Sequence, residues 1–162
     1  MPTWRAKIAK LEPEKMQVFG WLYVCVDAQG QRVIDHSGEW AAPDTMARAA
    51  AKFVLDSRAM SADHARACKA CDWEGTAADT GAKNLCPACG APAGFLQFGR
   101  LIESAFFSPE KCAAMGITCP MPTGWWVGFQ VDDPAVWARV KAGELTSFSV
   151  GYWLTGGPDA AA

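Results

Sequence analysis

The run G-E-L-T-S-F-S-V-G-Y-W occupies residues 143–153, directly after a short helical pattern that opens at Asp133-Pro134 and stops at Gly143. From Leu145 onward the residues alternate as a half-buried strand requires. Leu145, Ser147, Ser149 and Gly151 share one face, and Thr146, Phe148, Val150 and Tyr152 the other. Two serines and a glycine fill a core poorly. A hydroxyl followed two residues later by glycine leaves room for close approach, either of a neighbouring side chain or of a peptide carbonyl toward a nucleophilic Ser149. On these residues alone the packing explanation comes first.

Working back along the chain, residues 124–131 form an apolar strand with Trp125 and Trp126, and Asp133 caps a helix over 134–142. In the strand over 97–107, Leu101, Glu103 and Ala105 alternate against Arg100, Ile102, Ser104 and Phe106. Ser108-Pro109 then opens a short helix ended by Gly116. Residues 17–26 have strong β preference, and the turn at 27–30 folds them back onto a second strand at 32–34. A helix is expected from Pro43 to Ser57, burying Ala47, Ala50, Phe53 and Val54, with a loop over 58–64. Residues 1–15 read as a lead-in where Trp4, Ile8 and Leu11 line one side of a short helix, and 156–162 as a disordered tail. Five or six strands with short helices between them suit an α+β, mainly β fold: an antiparallel β-barrel flanked by helices.

A second motif interrupts this pattern: Cys68-x2-Cys71, fourteen residues, then Cys86-x2-Cys89. Each C-x2-C knuckle turns two thiolates toward one point, and two knuckles close a tetrahedron around zinc. Pro87 and Gly90 suit the tight turn of the second knuckle. Residues 65–95 are therefore expected to form a zinc ribbon with one structural ion, ahead of an iron–sulfur cluster or a redox dithiol pair, for which nothing nearby suggests electron transfer. Four thiolates leave no coordination position for a reacting water, which argues against catalytic zinc. Cys25 reads as a buried structural thiol, and Cys112 and Cys119, with six residues between them, as free thiols.

A chain of 162 residues fits one domain with its own core. The net charge of −2 offers no general attraction for nucleic acid or anionic membrane. Lys69 and Lys83 against Asp72, Glu74 and Asp79 make the ribbon a poor phosphate binder. No apolar run reaches the ~18 residues of a membrane span, and residues 1–10 lack the apolar core of a signal peptide. A cytosolic setting is expected, and seven cysteines then favour metal ligation over a disulfide framework.

The serine-bearing run resembles the serine motif of the tailed-phage prohead (capsid maturation) proteases, in particular their XkdF-like branch. Further blocks match in order: F-G-W-L-Y-V (19–24), D-H-S-G-E (35–39), A-R-A-A-A-K-F-V-L-D-S-R (47–58), His64, G-R-L-I-E-S (99–104) and G-W-W-V-G-F-Q-V-D-D-P-A-V-W (124–137). The resemblance spans residues 16–155, and the ribbon at 65–95 falls where most of the family has a short connection. It implies the barrel of the herpesvirus assembly proteases and a serine endopeptidase that cuts phage scaffold and major capsid protein segments. Such an enzyme works in the host cytoplasm, inside the viral procapsid; homo-oligomerisation is left open.

By position in the motif, Ser149 is the nucleophile and His64 the general base. Glu103 is the favoured group to orient His64: it matches the family's G-x-x-x-E-S strand, and burying a carboxylate among apolar neighbours requires a partner. A Glu103 paired with Arg100 or facing solvent is the competing reading. Asp63 is the runner-up for the third position. Some members of the clan use a second histidine there, but it follows the serine, and His36 precedes it. The rival function is a non-catalytic capsid-assembly or adaptor protein that binds protein or nucleic acid through the ribbon.

Overall fold

A computed structural model of the chain describes residues 3–4, 7–35, 38–81, 83–119 and 122–148. Its elements run β1 (Thr3–Trp4), β2 (Ile8–Glu12), a 3-10 turn (Pro13–Lys15), β3 (Gln17–Val26), β4 (Ile34–Asp35), α1 (Pro43–Asp56) and β5 (Ala59–Met60). They continue with β6 (Ala65–Ala67), β7 (Glu74–Thr76), α2 (Ala77–Thr80), β8 (Gly94–Phe95), β9 (Gly99–Phe107), α3 (Pro109–Ala114), β10 (Thr123–Val131) and α4 (Pro134–Lys141). The class is α+β with mostly antiparallel sheets.

Five strands form the main sheet in the order β2-β3-β10-β9-β5, antiparallel throughout. The most apolar strand sits at its centre, as burial on both sides favours. Trp125, Val127, Phe129 and Val131 of β10 point to one face with Val18, Leu22 and Cys25 of β3, and all seven are buried. The helices close this face. Met46 and Ala50 come from α1, with Phe53 packed edge-on against Trp125 and Phe129, and Val136, Trp137 and Val140 come from α4. Pro43 opens α1 and Pro134 opens α4, where Asp133 accepts hydrogen bonds from the Ala135 and Val136 amides. The opposite sheet face carries Phe19, Trp21, Trp126 and Phe107, with Trp21 edge-on to Trp126 and Phe107. Gly128 lies there because a Cβ would meet the Phe19 ring and Glu103 Cβ.

Several expectations need correction. Residues 8–12 are a strand paired with β3, not part of a helix, because the edge of the sheet offers their backbone a ladder. The return strand expected at 32–34 reduces to a single bridge from Arg32 to Val26, and Ile34–Asp35 pairs in parallel with Thr3–Trp4. The loop over 58–64 contains β5. The buried stripe of α1 runs through Met46 and Ala50, rotated from the one expected. Cys112 and Cys119, expected as free thiols, form a disulfide. Gly116, at a φ of +68°, turns the chain after α3 and brings their Cα atoms to 5.7 Å, within bridging range.

The barrel is not closed among the described residues. The sheet ends at β2 on one side and β5 on the other, and β2 is met by one hydrogen bond from Ile8 N–H to the Thr146 carbonyl and a bridge between Lys7 and Ser147. Of the serine strand, residues 149–153 lie outside the described residues, as do His36 and the tail at 156–162. Leu145 and Phe148 both pack against the core, a spacing of three that departs from strict alternation.

β6, β7 and β8 make a separate small sheet in the order β7-β6-β8. Among the described residues no helix is long and apolar enough to cross a membrane.

Candidate functional site

The ribbon gathers its four cysteines as the spacing predicts. The sulfurs of Cys68, Cys71, Cys86 and Cys89 all lie within 4.8 Å of one another. The Cys68–Cys89 and Cys71–Cys86 sulfur pairs are each 3.6 Å apart. Tetrahedral zinc with Zn–S bonds of ~2.3 Å requires sulfurs ~3.8 Å apart, so the cluster fits the ion with little adjustment. Both knuckles have the same backbone: Cys68 N–H donates to the Trp73 carbonyl and Cys86 N–H to the Ala91 carbonyl. Asp72 (φ +55°) and Gly90 (φ +74°) supply the left-handed turns. Without metal, Cys86 falls to about 7: burial opposes ionisation, but the Cys89 and Ala88 amides and the Cys71 and Cys68 thiols outweigh it. Amides aimed at sulfur stabilise the thiolate that a metal needs. The ribbon's own core is small, with Cys68, Cys86 and Ala93 buried and Trp73 and Ala91 beside them.

The other predicted residues surround the main sheet. His64 is exposed and sits with Asp63 in a turn where both residues have positive φ, +53° for Asp63 and +54° for His64. Two successive non-glycine residues in the left-handed region are held against a conformational cost. The holding groups are on either side. Ala65 N–H donates to the Ala62 carbonyl, the Ser61 hydroxyl donates to the Ala65 carbonyl, and Arg139 of α4 donates to the Asp63 carboxylate at 2.6 Å. That guanidinium, beside Asp63, holds its carboxyl below the usual range. Sequence reasoning missed Arg139, since nothing local marks a partner 76 positions from Asp63.

His64, Asp63 and Ser147 line one cavity of about 390 Å³, formed between the inner face of the sheet, α1 and α4. The histidine turn follows one edge strand of the sheet, and residues 146–147 adjoin the other. Both nevertheless line the same cavity. Ser149 lies two residues beyond Ser147 and outside the described residues, as does His36.

Glu103 is not brought to this cavity. The ladder between β9 and β10 shifts register at Gly128/Phe129, leaving Ile102 as an extra residue. Leu101 therefore packs inward, whereas Glu103 lies beside Gly128 and Phe19 on the outer face, exposed. The alternation that grouped Leu101 with Glu103 breaks at this bulge. Arg100 is bound instead by both carboxylate oxygens of Asp132, at 2.9 Å each. Cys25 is fully buried and its thiol is pushed up to about 12 by that burial, which makes it unreactive.

The ribbon is continuous with the cavity wall. β6 begins at Ala65, directly after His64, and Leu96 N–H donates to the Ala65 carbonyl. Phe95 of β8 lines the cavity on one side, and the buried Arg66 lies over its ring at 3.7 Å from the centroid. No family model, no curated protein and no solved structure matches this chain.

Proposed function

We propose that this chain is a serine endopeptidase of the prohead-maturation type, with Ser149 as nucleophile, His64 as general base, and one structural zinc held by Cys68, Cys71, Cys86 and Cys89. The observation that carries the reading is that His64 and Ser147, far apart in sequence and flanking opposite edges of the sheet, line a single cavity two residues before Ser149. In the reaction, the Ser149 hydroxyl oxygen bonds to the scissile carbonyl carbon as its proton passes to His64. The C–N bond then breaks, and the proton goes to the departing amine. Water, deprotonated by His64, releases the acyl group and restores Ser149. The zinc supplies no step. With four thiolates around it, its role is to hold the ribbon.

Glu103 has no part in this mechanism; its outward position assigns it to the solvent-facing side. The Asp63–Arg139 ion pair fixes the turn from which His64 projects. Substrates are segments of phage scaffold and major capsid protein, as the sequence resemblance implies. One observation favours the rival, a non-catalytic assembly protein: among the described residues the only carboxylate lining the cavity is Asp63, and Arg139 already holds it.

A fluorophosphonate decides between them. It is expected to modify the wild-type chain at Ser149 and to leave the Ser149→Ala variant unmodified, with Ser147→Ala still reactive. Co-expression with the scaffold and major capsid protein, followed by mapping of new N-termini, then identifies the cleaved bonds. No modification of a folded, zinc-loaded chain would favour the assembly protein.

A further inference from the structure

The cavity behind His64 divides into a polar rim and an apolar floor. Ser57, Ser61, Asp63, His64 and Ser147 stand at the rim, and Asp63, His64 and Ser147 are exposed. The floor is made by Val18, Trp125 and Val131, each about 1% exposed, with Phe129, Val136 and Val140 around them. The floor's one polar atom, the Trp125 indole N–H, is committed to the Ser104 hydroxyl at 2.9 Å. Ordered water needs two to four polar partners, which this floor does not offer. Its volume of about 390 Å³ falls at the lower end of the ~300–1,000 Å³ range of ligand pockets.

A charged side chain entering here would lose its hydration without gaining a partner, since Asp63 at the rim is already held by Arg139. An apolar one would replace poorly held water. β5, the terminal strand of the main sheet, contributes Ala59 and Met60 to the lining.

We propose that the cavity is the specificity pocket for one bulky apolar side chain, of the leucine or phenylalanine class, on the acyl side of the bond that is cut. This inference rests on the hydrolase reading above. It makes the selectivity of the enzyme chiefly a property of the sheet–helix core, with Phe95 the ribbon's contribution to the lining.

The test uses peptidyl diphenyl phosphonates that differ only in the side chain next to phosphorus, with a small fluorophosphonate lacking any side chain as reference. Modification of Ser149 in the zinc-loaded chain is followed by intact mass. Leu and Phe probes are expected to react at least about tenfold faster than the Ala probe, the discrimination typical of apolar pockets, and the Lys and Glu probes slower still. Val136→Phe fills the floor from α4, away from His64. It is expected to cut the Leu and Phe rates about tenfold relative to the Ala-probe rate of the same variant. Should that variant misfold, the wild-type probe series still decides. Reaction with the fluorophosphonate but equal or charge-preferring rates across the series overturns the pocket and leaves the hydrolase reading standing. No reaction with the fluorophosphonate removes the hydrolase reading, and this inference with it.

Discussion

Zinc removal, by chelation or by Cys86→Ser, is expected to melt the ribbon, leave the main sheet folded, and slow Ser149 chemistry through His64. Among the described apolar residues of the ribbon only Cys68, Cys86 and Ala93 are buried, whereas the main core holds Trp125, Val127, Phe129 and two helices. Metal binding worth about 10–16 kcal/mol in small zinc domains has no substitute in so small a cluster. The effect on His64 follows from the turn. Asp63 and His64 at φ near +53° cost on the order of 1–3 kcal/mol each. The exposed Asp63–Arg139 pair offsets little of that. The Ala62–Ala65 and Ser61–Ala65 hydrogen bonds add to it, and the rest comes from β6 on the far side of His64, tied to Leu96 and closed by the cysteine cluster. Once the ribbon melts, the turn relaxes, and a base displaced by ~1 Å costs about 10²-fold in rate. Hydrogen exchange read by mass spectrometry is expected to lose protection over residues 65–95 and keep it over 17–26 and 123–131, with fluorophosphonate modification slowed to match. An unchanged rate with an unprotected ribbon would refute the coupling. Loss of protection in β3 and β10 would make the ribbon part of the core.

Glu103→Ala is expected to leave the modification rate of Ser149 within about twofold, as for an exposed residue outside the site, while His64→Ala lowers it by several orders of magnitude; equal losses from both would return Glu103 to the site. Asp63→Asn removes one of the two carboxylate partners of Arg139, leaving Glu144, and is expected to lower the melting temperature by no more than ~4 °C at neutral pH. The sign with pH follows from the direction of the shift. The folded carboxyl lies below its usual value, so the pair stabilises above the unfolded pKa of ~3.9 and that contribution vanishes as pH falls through the folded value. Wild type and variant should therefore converge in acid, and a gap that widens below pH 4 would contradict the assignment. Trp125→Ala empties the centre of the core and strands the Ser104 hydroxyl; about 3–5 kcal/mol of lost stability is expected by denaturant titration, against less than ~0.5 kcal/mol for an exposed change such as Leu55→Ala.

Local chemistry was legible in the sequence wherever it needs only near neighbours. The two C-x2-C knuckles close through turns of a few residues, so their spacing alone implied the four-sulfur cluster. Asp133-Pro134 and Ser108-Pro109 began helices because capping is settled within one turn, and the apolar run over 124–131 marked a strand. What required the fold were pairings between distant residues. Leu101 and Glu103 are two apart and were expected on one face, but a bulge opposite β10 separated them, and a bulge depends on the partner strand's register. Residues 8–12 became a strand because the edge of β3 offered unpaired backbone groups, a contact no local propensity encodes. Arg139 found Asp63, and Cys112 found Cys119, only once α4 and the turn at Gly116 were in place. The same holds for the cavity: its apolar floor is assembled from two strands and one helix, and His64 stands at its rim. Periodicity names the residues that will be buried, but only the curl of the sheet decides which of them leave a space between them.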